Sequence, residues 1–155
     1  MSGIMKLLHV FDPFDWSDTP LTEIKYKLIT PNLLNQLDPN VRFIVEKMMD
    51  QYVDITKYDR RFLDVKVRYI KPNQFSCALT DFHYDWVKEF DYPIPHETHF
   101  IYSNVNGTEF EHDKCVDNGL YTYNRELHKG VRNEQPEVIK RVLIRLSYVN
   151  DRLKG

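Results

Sequence analysis

The feature that most limits what this chain can fold into is the texture of its second part. From residue 62 onward, the segments LDVKVRYI, HFIYSNV, TEFEH, LYTYN and RVLIRLSYV are short, mostly alternating, and rich in aromatic and β-branched residues. The connections KPNQ, VNGT, VDNG and HKGVRNEQPEVIK separate them, and the interior glycines Gly107, Gly119 and Gly130 each fall in one of these connections. Short strands at such regular spacing predict a compact antiparallel barrel or sandwich. One good helix precedes them. In NLLNQLDPNVRFIVEKMMDQYVDI, Pro39 has to begin or break a helix. The pattern predicts a short helical turn over 32–37, capped by Asn32, and a longer helix over 39–53. Val41, Ile44, Val45, Met48, Met49 and Tyr52 then form one apolar face, which suits a helix packed on a sheet. Ahead of it, Met5 to Phe11 is a short apolar piece, and residues 24–29 (IKYKLI) read as a further strand.

At 155 residues the chain is expected to be a single domain over 1–155, with a strand-and-helix segment at 1–61 leading into a β-rich core at 62–150. A hydrophobic content of 42% with 28% charged residues is that of a globular domain. Several function classes drop out. The five glycines form neither G-x-G-x-x-G nor G-K-[ST], which excludes the glycine-cradled phosphate sites. A formal charge of −2 argues against a broad footprint on duplex nucleic acid. No apolar run approaches the roughly 18 residues of a membrane span, and the opening MSGIMKLLHVFDPFDW turns acidic too early for a secretory signal. Cys77 and Cys115 make no disulfide framework, so an intracellular, reduced and cytoplasmic setting is expected.

Chemistry concentrates in TDFHYDWV, residues 80–87. Alternate side chains of an extended segment share a face, so His83 and Asp85 point one way while Phe82, Tyr84 and Trp86 point the other. An imidazole and a carboxylate so placed can ligate one ion. The third ligand expected is His128, in NRELHKG near a strand end. Two histidines and a carboxylate on one face of an octahedron leave three positions open, the facial triad of non-haem Fe(II) oxygenases. In KRVLIRLSYV, Arg141, Leu143, Arg145 and Ser147 share a face. Two arginines on a strand interior are odd for plain packing, since a guanidinium is rarely buried without an anion. Either arginine can receive a carboxylate through its planar fork, with Ser147 adding a hydrogen bond.

With these residues in hand, the chain resembles the 2-oxoglutarate- and Fe(II)-dependent dioxygenases over roughly residues 63–149. VRYIKPNQF is similar to the family's Y-x-P-G strand, with Asn73 where glycine is usual; HYDW at 83–86 is similar to its H-x-D motif. NGTEF at 106–110 resembles its G-x-x-F turn, NGLYTYNRELHKG the strand ending in the second histidine, and RLS at 145–147 its R-x-S. The resemblance implies a double-stranded β-helix, jelly-roll or cupin-like, backed by one or two helices. It implies Fe(II) held by His83, Asp85 and His128, and 2-oxoglutarate held by Arg145 and Ser147, with Tyr69 touching it. The gap from His128 to Arg145 is 17 residues, longer than many members have, so Arg141, at 13, is the rival receptor. The activity implied is hydroxylation of an unactivated C–H bond with dioxygen, on a peptide or protein side chain or else a small metabolite. The alternatives are a cupin-like metalloprotein that does not use 2-oxoglutarate and a metal-free β-domain used for binding or assembly.

The other candidate residues have plainer readings. His96 and His99 (HETH) have the spacing of zinc ligands on a helix, but Pro93 and Pro95 oppose a helix, so a loop feeding strand 99–105 is expected, with His99 near the site entrance. Asp81 either supports a ligand or is solvated, and Trp86, Phe90 and Tyr92 either line a substrate mouth or pack in the core. Arg125, Lys129 and Arg132 read as a solvated rim around the second histidine.

Overall fold

Two prolines set the start of the helical layer in the computed structural model, which describes residues 5–52, 60–76, 81–82, 97–105, 107–110, 115–124 and 128–149. The first helix, α1 (Pro31–Gln36), is capped by Thr30, not Asn32: Thr30 Oγ1 accepts from the Leu33 amide at 3.1 Å, and Pro31 sits where its missing N–H costs nothing. The second, α2 (Pro39–Lys47), begins at Asp38, whose carboxylate accepts from the amides of Asn40 (3.1 Å) and Val41 (3.3 Å). It is shorter than the periodicity predicts, because Met48–Tyr52 winds as a π-helical turn. The apolar face survives that change. Val41, Ile44, Val45 and Met48 are all buried in one cluster with the sheet, and Met49 packs at its edge.

Eight strands follow the chain order β1 (Lys6–Val10), β2 (Thr22–Leu28), β3 (Arg60–Ile70), β4 (Glu97–Ser103), β5 (Thr108–Phe110), β6 (Gly119–Tyr123), β7 (His128–Gly130) and β8 (Ile139–Val149) among the described residues. Six form an antiparallel sheet in the order β1-β6-β4-β8-β3-β2; β5 and β7 pair as a separate antiparallel ribbon. The central ladder, β3 with β8, runs unbroken through eleven pairs from Arg60↔Val149 to Ile70↔Ile139. The chain is thus mainly β, with the helices laid against its large sheet, as the alternating segments predict.

Register decides which side chains meet the helices and which face away. The even-numbered residues of β8 (Val142, Ile144, Leu146, Tyr148) join the helix-side core with Leu63, Val65 and Val67 of β3. The odd-numbered ones face the opposite side, where Leu143 packs with Ile101, Tyr121 and Tyr123 against Phe110 of β5. The β5–β7 ribbon therefore covers the second face of the large sheet, on which β8 carries the buried Arg141, Arg145 and Ser147.

Two turns carry left-handed backbone at side-chain-bearing residues. In the KPNQ turn, the Gln74 amide donates to the Lys71 carbonyl at 3.0 Å and Asn73 takes φ 66°. This is a turn with proline second and a left-handed residue third, where glycine or asparagine fits. Asn118, in VDNG, takes φ 58°. No helix among the described residues is long and apolar enough to cross a membrane.

Candidate functional site

The inner face of β8 carries Arg141, Leu143, Arg145 and Ser147, and all four are buried. Burying two guanidinium groups is costly unless each is hydrogen-bonded, and both are. Arg141, 3% exposed, directs Nη2 to Thr108 Oγ1 at 3.0 Å, Nε to Ser103 Oγ at 3.4 Å and Nη1 to the Ser76 carbonyl at 3.5 Å. Arg68, its partner across the β3–β8 ladder, donates to the same Ser76 carbonyl. Two like charges facing each other across a ladder repel, and one carbonyl oxygen accepting from both offsets part of that.

Ser76 ties three segments together here. Its Oγ donates to the Gly107 carbonyl at 2.5 Å and accepts from the Val131 amide at 3.0 Å. Gly107 lies flat against Arg141: a Cβ there would stand 2.7 Å from Cζ and 2.9 Å from Nη2. Glycine at this position is a matter of space for the guanidinium. Arg141, Ser76 and Gly107 border a cavity of about 460 Å³ that also touches Val131 and Asn133.

Arg145 sits two inward positions further along β8. Its Nη1 lies 2.5 Å from the Tyr26 hydroxyl, and the buried Asp64 is its cross-strand partner on β3. One more inward step brings Ser147, whose Oγ is 2.7 Å from Nδ1 of His99 on β4. The His99 ring stacks on Tyr123 of β6 with centroids 5.0 Å apart, and Tyr123 meets the His128 ring at 5.7 Å. His128 is 4% exposed and also faces Phe110 at 5.7 Å. It opens β7, whereas the sequence places it at a strand's end; residues 125–127 lie outside the described ones. His99 is fully interior, not at an entrance.

Of the sequence-derived site residues, the structure brings His128, Arg141, Arg145 and Ser147 to one interior between the large sheet and the β5–β7 ribbon. Tyr69 goes elsewhere. It lies on the helix-side face, 54% exposed, with Lys140 Nζ over its ring at 5.9 Å, because odd residues of β3 pair with even residues of β8. His83 and Asp85 lie outside the described residues, as do Trp86, Phe90, Tyr92, His96 and Arg125. Among the described residues no group of three or more His, Cys, Asp or Glu side chains converges on a metal position.

Around the motif, Lys129 pairs with Glu109 at 3.2 Å and Arg132 with Glu134 at 3.9 Å, as rim charges do. Lys129 Nζ also stands 4.8 Å over the ring of Phe82. Three residues of this interior escape sequence reasoning. Ser76 and Thr108 are small polar residues with no spacing signature, and Tyr26 is distant in sequence. Comparison of the chain with protein-family models, with curated proteins and with solved structures finds no match in any of the three.

Proposed function

We propose that this chain is an Fe(II)- and 2-oxoglutarate-dependent dioxygenase that hydroxylates an unactivated C–H bond, on a double-stranded β-helix. The observation that carries the reading is the interior between the two sheets, where a buried His128 at the start of β7 faces a β8 wall bearing two buried arginines and a serine. A purely structural core has little use for that set of side chains.

Three further features support it. The order β6-β4-β8-β3, faced by a β5–β7 ribbon, interleaves strands distant in sequence, which supports a jelly-roll reading. Asn73 stands where the family has glycine, and its φ of 66° is a backbone that glycine and asparagine share. Phe82 and Lys129 are in contact and are the chain neighbours of His83 and His128. That contact brings together the chain positions next to His83 and His128.

On this reading His83, Asp85 and His128 hold the metal. The donor set suits Fe(II), with two imidazoles and one carboxylate leaving adjacent positions open. Of the two rival arginines, Arg141 receives the distal carboxylate of 2-oxoglutarate. Thr108, to which it is bonded, lies two residues from Phe110, the ladder partner of His128. Two residues of strand span about 6.6 Å, a length suited to a five-carbon diacid reaching back toward the metal. Arg145 and Ser147 lie toward its other end. When bound, iron supplies the oxidation of the substrate by dioxygen, coupled to conversion of the keto acid to succinate and carbon dioxide. The side chains of this protein hold the acid in one orientation, keep charge paired inside the sandwich and exclude water with Leu143, Phe110 and Ile101. The substrate we favour is a peptide or protein side chain.

A thermal-shift titration tests the reading, because a ligand that binds only the folded form raises Tm. Mn(II) and 2-oxoglutarate together should raise Tm by more than the sum of each alone, and Asp85→Ala should abolish both that synergy and substrate-dependent succinate release. A shift from metal that the keto acid does not extend would replace this reading with a metalloprotein that does not use it. No shift from either would leave a β-domain used for binding.

A further inference from the structure

The backbone of β2 breaks its own regularity at one residue. Pairing with β3 slips between Ile24 and Lys27, and within that bulge Tyr26 takes φ 44°. For a bulky aromatic side chain this left-handed backbone is costly, and glycine or asparagine is what such a position usually carries. The distortion has a visible consequence. It sends a phenol from an edge strand across β3 to the buried Arg145 of β8, where Tyr26 Oη meets Nη1 at 2.5 Å. Bulges often re-aim a side chain beside a functional site.

We propose that Tyr26 is a positioning residue of the candidate site: its hydroxyl fixes the Arg145 guanidinium so that the positive charge faces the metal-proximal carboxylate of a 2-oxo dicarboxylic acid. This rests on the reading above and deepens it. A diacid brings two negative ends into the interior. Arg141 and its neighbours meet one; Arg145, two inward positions nearer Ser147, meets the other. The buried Asp64 is the cross-strand partner of Arg145 on β3, and the Tyr26 oxygen accepts from one edge of the guanidinium fork. That bond holds one edge of the planar guanidinium and so fixes its orientation. Strand β2 is then part of the site and more than a cover for the sheet edge.

The test is calorimetric titration of the full chain with Mn(II), and then of the Mn(II)-loaded chain with 2-oxoglutarate. It uses wild type and Tyr26→Phe, which keeps the ring and removes only the oxygen. Tyr26→Asn suits the left-handed backbone and serves if Tyr26→Phe does not fold. Loss of a hydrogen bond to a charged group of this kind should weaken 2-oxoglutarate about tenfold or more in both variants, with Mn(II) affinity unchanged. Wild-type affinity for 2-oxoglutarate in the variants overturns the role of Tyr26 and leaves the oxygenase reading intact. A parallel loss of Mn(II) affinity also overturns it, since that is general damage. A wild-type chain that takes up Mn(II) but not 2-oxoglutarate removes both the reading and this inference.

Discussion

Gly107→Ala should do disproportionate harm for a single methyl group. The new Cβ would stand 2.7 Å from Arg141 Cζ and 2.9 Å from Nη2, against the roughly 3.5–4.0 Å at which such atoms rest comfortably. Something must yield by close to an ångström. The β5 backbone is held by its ladder to β7, and the Gly107 carbonyl by Ser76 Oγ, so the guanidinium moves and strains its 3.0 Å bond to Thr108. Overpacking together with a weakened charged hydrogen bond comes to about 2–3 kcal/mol. In a domain of this size that is a fall in Tm of about 5–10 °C. The backbone itself raises no objection, because Gly107 lies outside the left-handed region. In an Arg141→Ala background, where no guanidinium stands in the way, the same substitution should cost nothing and should stabilise by about 0.4–1 kcal/mol through the unfolded chain. Urea unfolding of the four proteins of this double-mutant cycle measures the reversal. Equal cost in both backgrounds, or no cost in the first, would refute the contact on which the Arg141 assignment leans. On the oxygenase reading, Gly107→Ala should also weaken 2-oxoglutarate about tenfold while leaving Mn(II) affinity alone.

Other consequences are more local. Asp38→Ala removes the acceptor of two amides at the start of α2, and should lower stability by about 1 kcal/mol in urea melts, with Asp38→Asn largely retaining it. Ser147→Ala takes the hydroxyl away from the buried Nδ1 of His99 and should cost about 1–3 kcal/mol by the same measurement. Burial holds the Tyr102 phenol well above the ordinary tyrosine value of 10.0. A group whose folded value is raised contributes stability that is whole below its unfolded value and drains away as pH rises past it. The wild type should therefore lose urea resistance as pH climbs above about 10, and Tyr102→Phe should flatten that decline; parallel curves for the two proteins would show that Tyr102 does not drive it.

The fold was legible where burial imposes a period. Alternation in LDVKVRYI and RVLIRLSYV marks β3 and β8, and the spacing of Val41, Ile44, Val45 and Met48 marks the helix face, because one face of each has to leave water. What periodicity cannot carry is how far a strand slides against a neighbour from another sheet. Alternation places Arg141 and Arg145 on one face, but it does not say which lies level with Thr108; that follows from β5–β7 lying over β8, a pairing of segments far apart in sequence. The same limit explains Tyr69, which a motif resemblance put in the site and strand parity put on the other face.

Residues in unusual backbone were legible only when their type advertised it. Asn73 in KPNQ and Asn118 in VDNG announce turns, because asparagine tolerates a left-handed backbone and turn sequences select it. Tyr26 is disguised, since a tyrosine in IKYKLI looks like an ordinary strand residue and raises the expectation of a regular edge. Its φ of 44° runs against that expectation, and the energy that keeps it there has to come from contacts elsewhere, the bond to Arg145 among them. If that bond is what holds the bulge, deleting the acceptor without touching the ring should let β2 relax toward regular pairing. Amide exchange at Lys25 and Lys27 should then slow in Tyr26→Phe as the bulge heals into the ladder with β3. Faster or unchanged exchange there would mean that the slip between Ile24 and Lys27 is set by the β2–β3 strands alone and that Tyr26 merely follows it.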